Sequence, residues 1–252
     1  MYNQITFKER LMRYYRKHPV SFVLIALNTL TLIITFFYNL NYETNLFTML
    51  LTFNGNTLYD LGGMYPIDLT ENHQYYRLFT AMFLHGSFLH YLMNMYFLSI
   101  IGRTSESLLG KKKYILIYLL SGLGSSLLVW GMSFVYPATA DIVTIGASGA
   151  LFGLLGTLLL LTYKKPMLFS PRGIRSIRSL VLINIFFTFI ISDISVFGHI
   201  GGLLTGVLLA YILFRDNNSM RPQTQQQRHN SHYGNYVIDA DDVTDDDIYY
   251  TN

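Results

Sequence analysis

Apolar positions in this chain come in long blocks separated by polar stretches, with neither the alternation of a strand nor the single stripe of a surface helix. Residues 20–38 form a run about as long as a bilayer-spanning helix. Residues 78–101 are apolar but interrupted by His85-Gly86-Ser87, His90 and Asn94. A second helix is predicted to start near Ser87, whose hydroxyl makes a good N-cap, and to run to about Leu109; the residues before it form an interfacial approach. Further spanning segments are predicted over 114–136, 142–163, 179–192 and 194–214. The pattern specifies an all-α, polytopic membrane protein with six spanning helices.

The polar stretches set the orientation. Residues 1–18 are a basic leader, a topology signal or a short helix on anionic lipid. Residues 39–77 make a long connection rich in Asn and Tyr, with Tyr59, Tyr65, Tyr75 and Tyr76 suited to the headgroup level. Lys164, Lys165, Arg172, Arg175 and Arg178 read as one basic loop. Residues 216–252 are polar and acidic, without an apolar run to build a core, and read as a disordered tail. All Lys and Arg except Arg77 fall in the leader, the loops after the second and fourth helices, and the tail. The positive-inside rule then puts both termini in the cytoplasm. The second, fourth and sixth helices run inward from the outer face.

Composition agrees. Of 252 residues 51% are hydrophobic and 13% charged, against about 25% charged in soluble domains. The absence of cysteine excludes disulfides, thiolate catalysis and cysteine-bound metals. The apolar run after Pro19 lacks a small-residue cleavage site and reads as a retained span rather than a signal peptide.

Polar groups inside a membrane are costly and are candidates for function. Ser148 lies in Gly146-Ala147-Ser148-Gly149, and His199 in Gly198-His199-Ile200-Gly201-Gly202. His90 and Asn94 are four apart, hence on one helix face. By the orientation above, all four sit near the outer starts of their helices at similar depth. Serine needs an adjacent base to become a nucleophile, and neutral imidazole can serve. His90 and Asn94 have donors to offer a developing oxyanion. Each residue also has a plainer reading: Ser148 as a packing residue, His199 as a satisfied interior histidine, His90 and Asn94 as interhelical bonds. The repeats Gly149-xxx-Gly153 and Gly202-xxx-Gly206 serve close helix packing, and would bring Ser148 and His199 together if they face each other. A metal held by His85, His90 and His199 is a further possibility, without any intramembrane carboxylate to support it. Asp193 either orients His199 or is a loop residue.

Taken in order, Tyr76-Arg77-Leu78-Phe79-Thr80, His85, His90-xxx-Asn94, Gly102-Arg103-xx-Glu106, Gly146-Ala147-Ser148-Gly149 and His199-xx-Gly202-xxx-Gly206 resemble the rhomboid family of intramembrane serine proteases over roughly residues 70–210. The resemblance implies a Ser148–His199 dyad without an acid partner. His90, Asn94 and the Ser148 N–H would form an oxyanion hole, with His85, Gly146, Gly149 and Gly202 supporting the site. Phe152 stands where the family often has Tyr and would stack on His199. Arg103 and Glu106 would form a structural polar network at the cytoplasmic end of the second helix. Residues 39–77 would be the family's membrane-embedded loop. Tyr76-Arg77 departs from the usual Trp-Arg.

The chain is thus expected to hold a six-helix rhomboid-like catalytic domain over 19–215 in the plasma membrane, opening to the extracytoplasmic side through a polar-lined cavity. The partners implied are the lipid bilayer and the spanning helices of other proteins, with no nucleic acid, metal or cofactor. A non-proteolytic, rhomboid-like adaptor or chaperone, with the tail recruiting partners, is the alternative. A transporter is disfavoured because no opposed pair of broken helices is visible.

Overall fold

The computed structural model describes residues 6–42, 45–191 and 195–215. Asp193 and the tail 216–252 lie outside the described residues. Helix α1 (Phe7–Lys17) is started by a capping box between Thr6 and Glu9. His18 alone separates it from α2 (Pro19–Asn39), which has proline in its first turn. The connection that follows carries α3 (Leu46–Leu51), α4 (Gly55–Asp60), α5 (Pro66–Glu71) and α6 (Arg77–Thr80). Helix α7 (Phe88–Phe97) runs through a π-helical turn at Leu98–Gly102 into α8 (Arg103–Leu109). Then come α9 (Lys111–Ser133), α10 (Ser148–Lys164), α11 (Pro171–Ile190) and α12 (Val196–Leu213). Among the described residues two form a lone bridge, Met64 with Thr144, and there are no strands.

Helices α2, α9, α11 and α12 are long and apolar enough to cross a membrane, and α10 is a shorter apolar helix. Their burial sorts them. Every residue of α10 from Gly149 to Leu158 is buried, as a helix apolar all round requires. The others bury one face and leave apolar side chains such as Leu30, Ile34, Phe186 and Leu204 on the outside. In water that would be a liability; against lipid it is the expected surface. Helix α10 is therefore the axis of the bundle, packed chiefly on α12 and α9.

The α10–α12 seam depends on missing side chains. A Cβ at Gly202 would stand 1.9 Å from the Gly149 carbonyl oxygen, and one at Gly206 1.9 Å from that of Gly153. A Cβ at Gly156 would stand 2.4 Å from the Leu203 carbonyl oxygen. The two glycine repeats do face each other.

On α8, Glu106 is buried and closes the start of α2. Its carboxylate accepts from the N–H groups of Val20 and Ser21, both at 2.9 Å, and from the Ser21 hydroxyl at 2.8 Å. These are orphan donors of a helix N-terminus, where negative charge is favoured. Arg103 donates to the Ser99 carbonyl, and its guanidinium lies 5.8 Å from the Tyr14 ring centre. Glu106→Ala removes three charge-assisted bonds and is expected to cost about 2–4 kcal/mol. A fall in the thermal midpoint in detergent, larger than that of Glu106→Gln, is the check.

Two boundaries differ from the sequence expectation. Residues 142–147 are not helical, because every residue of the run Ile142-Val143-Thr144-Ile145 is β-branched and Gly146 takes φ +121°. Helix α11 begins at Pro171 rather than near 179, since Ser170 accepts from the Gly173 N–H at 3.0 Å and proline takes the first turn. Arg172, Arg175 and Arg178 thus ride on α11 rather than in a loop. The long connection 39–77 carries the short helices α3 to α6.

Candidate active site

Ser148 is the first residue of α10, so its own N–H is among the free donors at that helix start. The turn before it is held by backbone bonds from two directions. Met64 and Thr144 exchange both N–H···O bonds, at 3.0 and 2.8 Å, and the Gly146 N–H donates to the Ala81 carbonyl at 2.9 Å. Tyr65 donates to Asp141, and that bond holds its phenol up at about 12. The connection between α2 and α7 therefore sets the position of the Ser148 turn. That connection is itself organised by buried Arg77. Arg77 donates to the Tyr59 and Gly63 carbonyls and to Gln74, pairs with Asp68 at 3.6 Å, and lies 4.2 Å from the Tyr59 ring centre. Replacement of the family's tryptophan by Tyr76 leaves this arginine engaged.

His199 lies in the first turn of α12, which Ser195 caps through the Gly198 N–H. The imidazole is buried and stacks on Phe152, with ring centres 3.9 Å apart and planes 17° from parallel. Its Nδ1 is 2.8 Å from the Thr188 hydroxyl on α11. The Gly149 and Gly202 contact described above is what carries this ring to the start of α10.

Ser148 and His199 line one small cavity together with Gly146, Gly149, Ser125 and Ser126 of α9, Thr144 and Ser195. Its volume is about 20 Å³, room for about one water. Ala81, Met82 and Ile145 also line it, so the lining mixes polar and apolar groups, and the space is smaller than a channel for substrate.

His90 stands across Gly146. The Gly86 N–H donates to its Nδ1 at 3.3 Å, so in the neutral ring the proton sits on Nε2. A Cβ at Gly146 would be 3.2 Å from His90 Nε2 and 3.5 Å from Ser148 Oγ. Both atoms thus border one point beside Gly146, where a φ of +121° already disfavours any side chain. Asn94 is buried, but its Nδ2 donates at 3.1 Å to the His90 carbonyl of its own helix. One amide hydrogen is therefore spent away from the site. His85 is also buried and packs edge-on against the rings of His90, at 5.3 Å, and Tyr91, at 5.5 Å. It backs His90, and none of His85, His90 and Asn94 lines the cavity itself.

The metal alternative finds no geometry to support it: among the described residues no three His, Cys, Asp or Glu side chains gather to hold an ion. Thr188 was not foreseen. Its only sequence signal is a hydroxyl within the apolar run 179–192, and threonine there usually bonds its own helix.

A model of the Rhomboid domain family matches residues 72–216, more than half of the chain. The chain is 35% identical over 189 residues to RHOMBOID-like protein 6, mitochondrial, of Arabidopsis thaliana, covering 72% of this chain and 56% of that protein. It is 30% identical over 141 residues to the putative rhomboid protease YdcA of Bacillus subtilis (strain 168), covering 56% of this chain and 68% of that one. Over 140 residues it is 34% identical to rhomboid protease GluP of the same organism, covering 56% and 26% of the two chains. It spans little more than half the length of the plant relative and about a quarter of GluP. With the Rhomboid domain matched from before α6 to the end of α12, and apolar helices of membrane-spanning length within it, the chain is a multi-pass membrane protein of the rhomboid family.

Proposed function

We propose that this protein is an intramembrane serine protease that cuts spanning helices of other membrane proteins with Ser148 as nucleophile and His199 as base. The observation that carries the reading is the shared cavity at the start of α10, with the imidazole held flat on Phe152 beside the serine turn. The chemistry is acyl transfer. Ser148 Oγ attacks the carbonyl carbon and its proton passes to His199 Nε2. The oxyanion forms near the Ser148 N–H and His90 Nε2–H, with Asn94 supplying a further donor once its amide turns from the His90 carbonyl. Collapse expels the amine, which takes the proton from His199. A water then enters, gives one proton to His199 and attacks the acyl carbon; the second collapse breaks the bond to Ser148 Oγ, which takes that proton back from His199, and the acyl group leaves as a carboxylic acid. The cavity has room for that water.

A substrate helix has its peptide groups locked in internal hydrogen bonds and must unwind locally before attack, so small residues near the cut and helix breakers beyond it are favoured. Six spans are assigned: α2, the α7–α8 run, α9, α10, α11 and α12. The Lys/Arg distribution supports both termini lying in the cytoplasm, and in this reading the protein sits in the plasma membrane with the cavity toward the extracytoplasmic side. Residues 19–215 form the catalytic domain, flanked by the basic leader and the acidic tail.

A fluorophosphonate probe tests the dyad in detergent. Wild type is expected to label at one serine, and Ser148→Ala and His199→Ala are each expected to lose the label. Labelling that survives His199→Ala at the wild-type rate contradicts the assignment of the base. The adaptor reading instead expects both variants to keep full function in cells while deletion of 216–252 abolishes it.

A further inference from the structure

Each proton-transfer step above needs His199 with a lone pair on Nε2, which requires the neutral ring to carry its hydrogen on Nδ1. In a neutral imidazole the hydrogen sits on one nitrogen or the other, and the partner of the second nitrogen decides which. Here that partner is a neutral hydroxyl. Thr188 Oγ1 lies 2.8 Å from His199 Nδ1 and, at the same time, 2.8 Å from the Asn184 carbonyl oxygen one turn back on α11.

A hydroxyl has one hydrogen to give. The Asn184 carbonyl can only accept. If the hydrogen goes to Asn184, the oxygen's lone pair faces Nδ1, and Nδ1 must be the N–H donor. If the hydrogen went to Nδ1 instead, two acceptor oxygens would face each other at 2.8 Å with nothing between them. Thr188 is buried, so no bulk water relieves that repulsion. We infer that Thr188 is the positioning residue of the base: through the chain His199 Nδ1–H to Thr188 Oγ1–H to the Asn184 carbonyl it selects the tautomer whose Nε2 is free.

The inference rests on the dyad reading for its use in catalysis, although the tautomer itself does not depend on turnover. Phe152 fixes the plane of the ring, and Thr188 fixes its rotation within that plane. The nucleophile rides on α10, the base on α12 and the lock on α11. Thr188 thus does with a hydroxyl what a carboxylate does in a triad, namely orienting the ring, without adding a charge to the membrane interior.

The test uses the full chain in detergent with ¹⁵N-labelled histidine, the His199 signals being those lost in His199→Gln. Wild type and Thr188→Ser are expected to show a protonated Nδ1 and an unprotonated Nε2. Thr188→Val keeps the shape without the hydroxyl and is expected to give a tautomer mixture. Its maximal rate of fluorophosphonate labelling is expected to fall about tenfold or more, with the half-saturating probe concentration unchanged. A wild-type His199 protonated on Nε2 overturns the inference, and so does a Thr188→Val variant that keeps both tautomer and labelling rate. Should wild type show the Nδ1–H tautomer yet neither label nor cleave, the protease reading fails while the assignment of the lock stands.

Discussion

Gly202→Val is expected to abolish fluorophosphonate labelling and to lower the thermal midpoint more than any other single change considered. The position of the first added carbon decides this. A Cβ there would stand 1.9 Å from a backbone oxygen, that of Gly149, and a backbone cannot swing aside as a side chain does. The helices must separate. Ordinary overpacking costs about 1–3 kcal/mol, and a clash with backbone in the main seam is expected to exceed that. The damage is also chemical. Gly149 follows the nucleophile and Gly202 lies one turn beyond His199, so separating the seam pulls the two reacting side chains apart. Gly131→Ala is the control. Nothing lies within 4 Å of a Cβ built there, and alanine favours helix over glycine by about 1 kcal/mol, so that variant is expected to match or exceed wild type in stability and to label normally.

The second large effect concerns the dyad. Ser148→Ala and His199→Ala are each expected to lower turnover by about 10³–10⁶-fold, and the double variant to be no worse than the poorer single one. The two residues perform one step together: without the base the serine is not activated, and without the serine the base has no proton to take. Independent contributions would multiply instead. Both variants are expected to fold, since neither group closes a seam; Ser148 is only partly buried, and the Phe152 face left by His199→Ala borders an existing cavity.

Much of this molecule is readable before any coordinates. The apolar blocks mark the long helices because a bilayer demands about 20 apolar residues, and nothing else in a chain of this size does. The pairing of Gly149-xxx-Gly153 with Gly202-xxx-Gly206 was legible because small residues four apart leave a groove that only another backbone fills. Ser87 was legible as a cap, and its hydroxyl does accept from the His90 N–H at 3.0 Å.

Other features hid for physical reasons. Residues 142–147 are apolar enough to pass for a helix turn, and only the β-branched run and Gly146 signal that they stay extended against 64 and 81. The start of α11 hid behind its charge: arginines on the first turns of a helix look like a loop when hydropathy is the guide. Asn94 shares a face with His90 by spacing, but spacing cannot show that its amide turns back to the carbonyl four residues earlier. Thr188 hid most completely, because its role arises from the approach of α11 to α12 and not from any local pattern.

The measurement that bears most directly on the central claim is cleavage of a single spanning helix in proteoliposomes by purified wild type and Ser148→Ala. The substrate carries small residues near its outer end, with helix breakers beyond them toward its middle. The account expects a cut within or beside that helix by wild type and none by the variant. Cleavage by Ser148→Ala at the wild-type rate contradicts it, as does a folded, fluorophosphonate-reactive wild type that leaves every such helix intact.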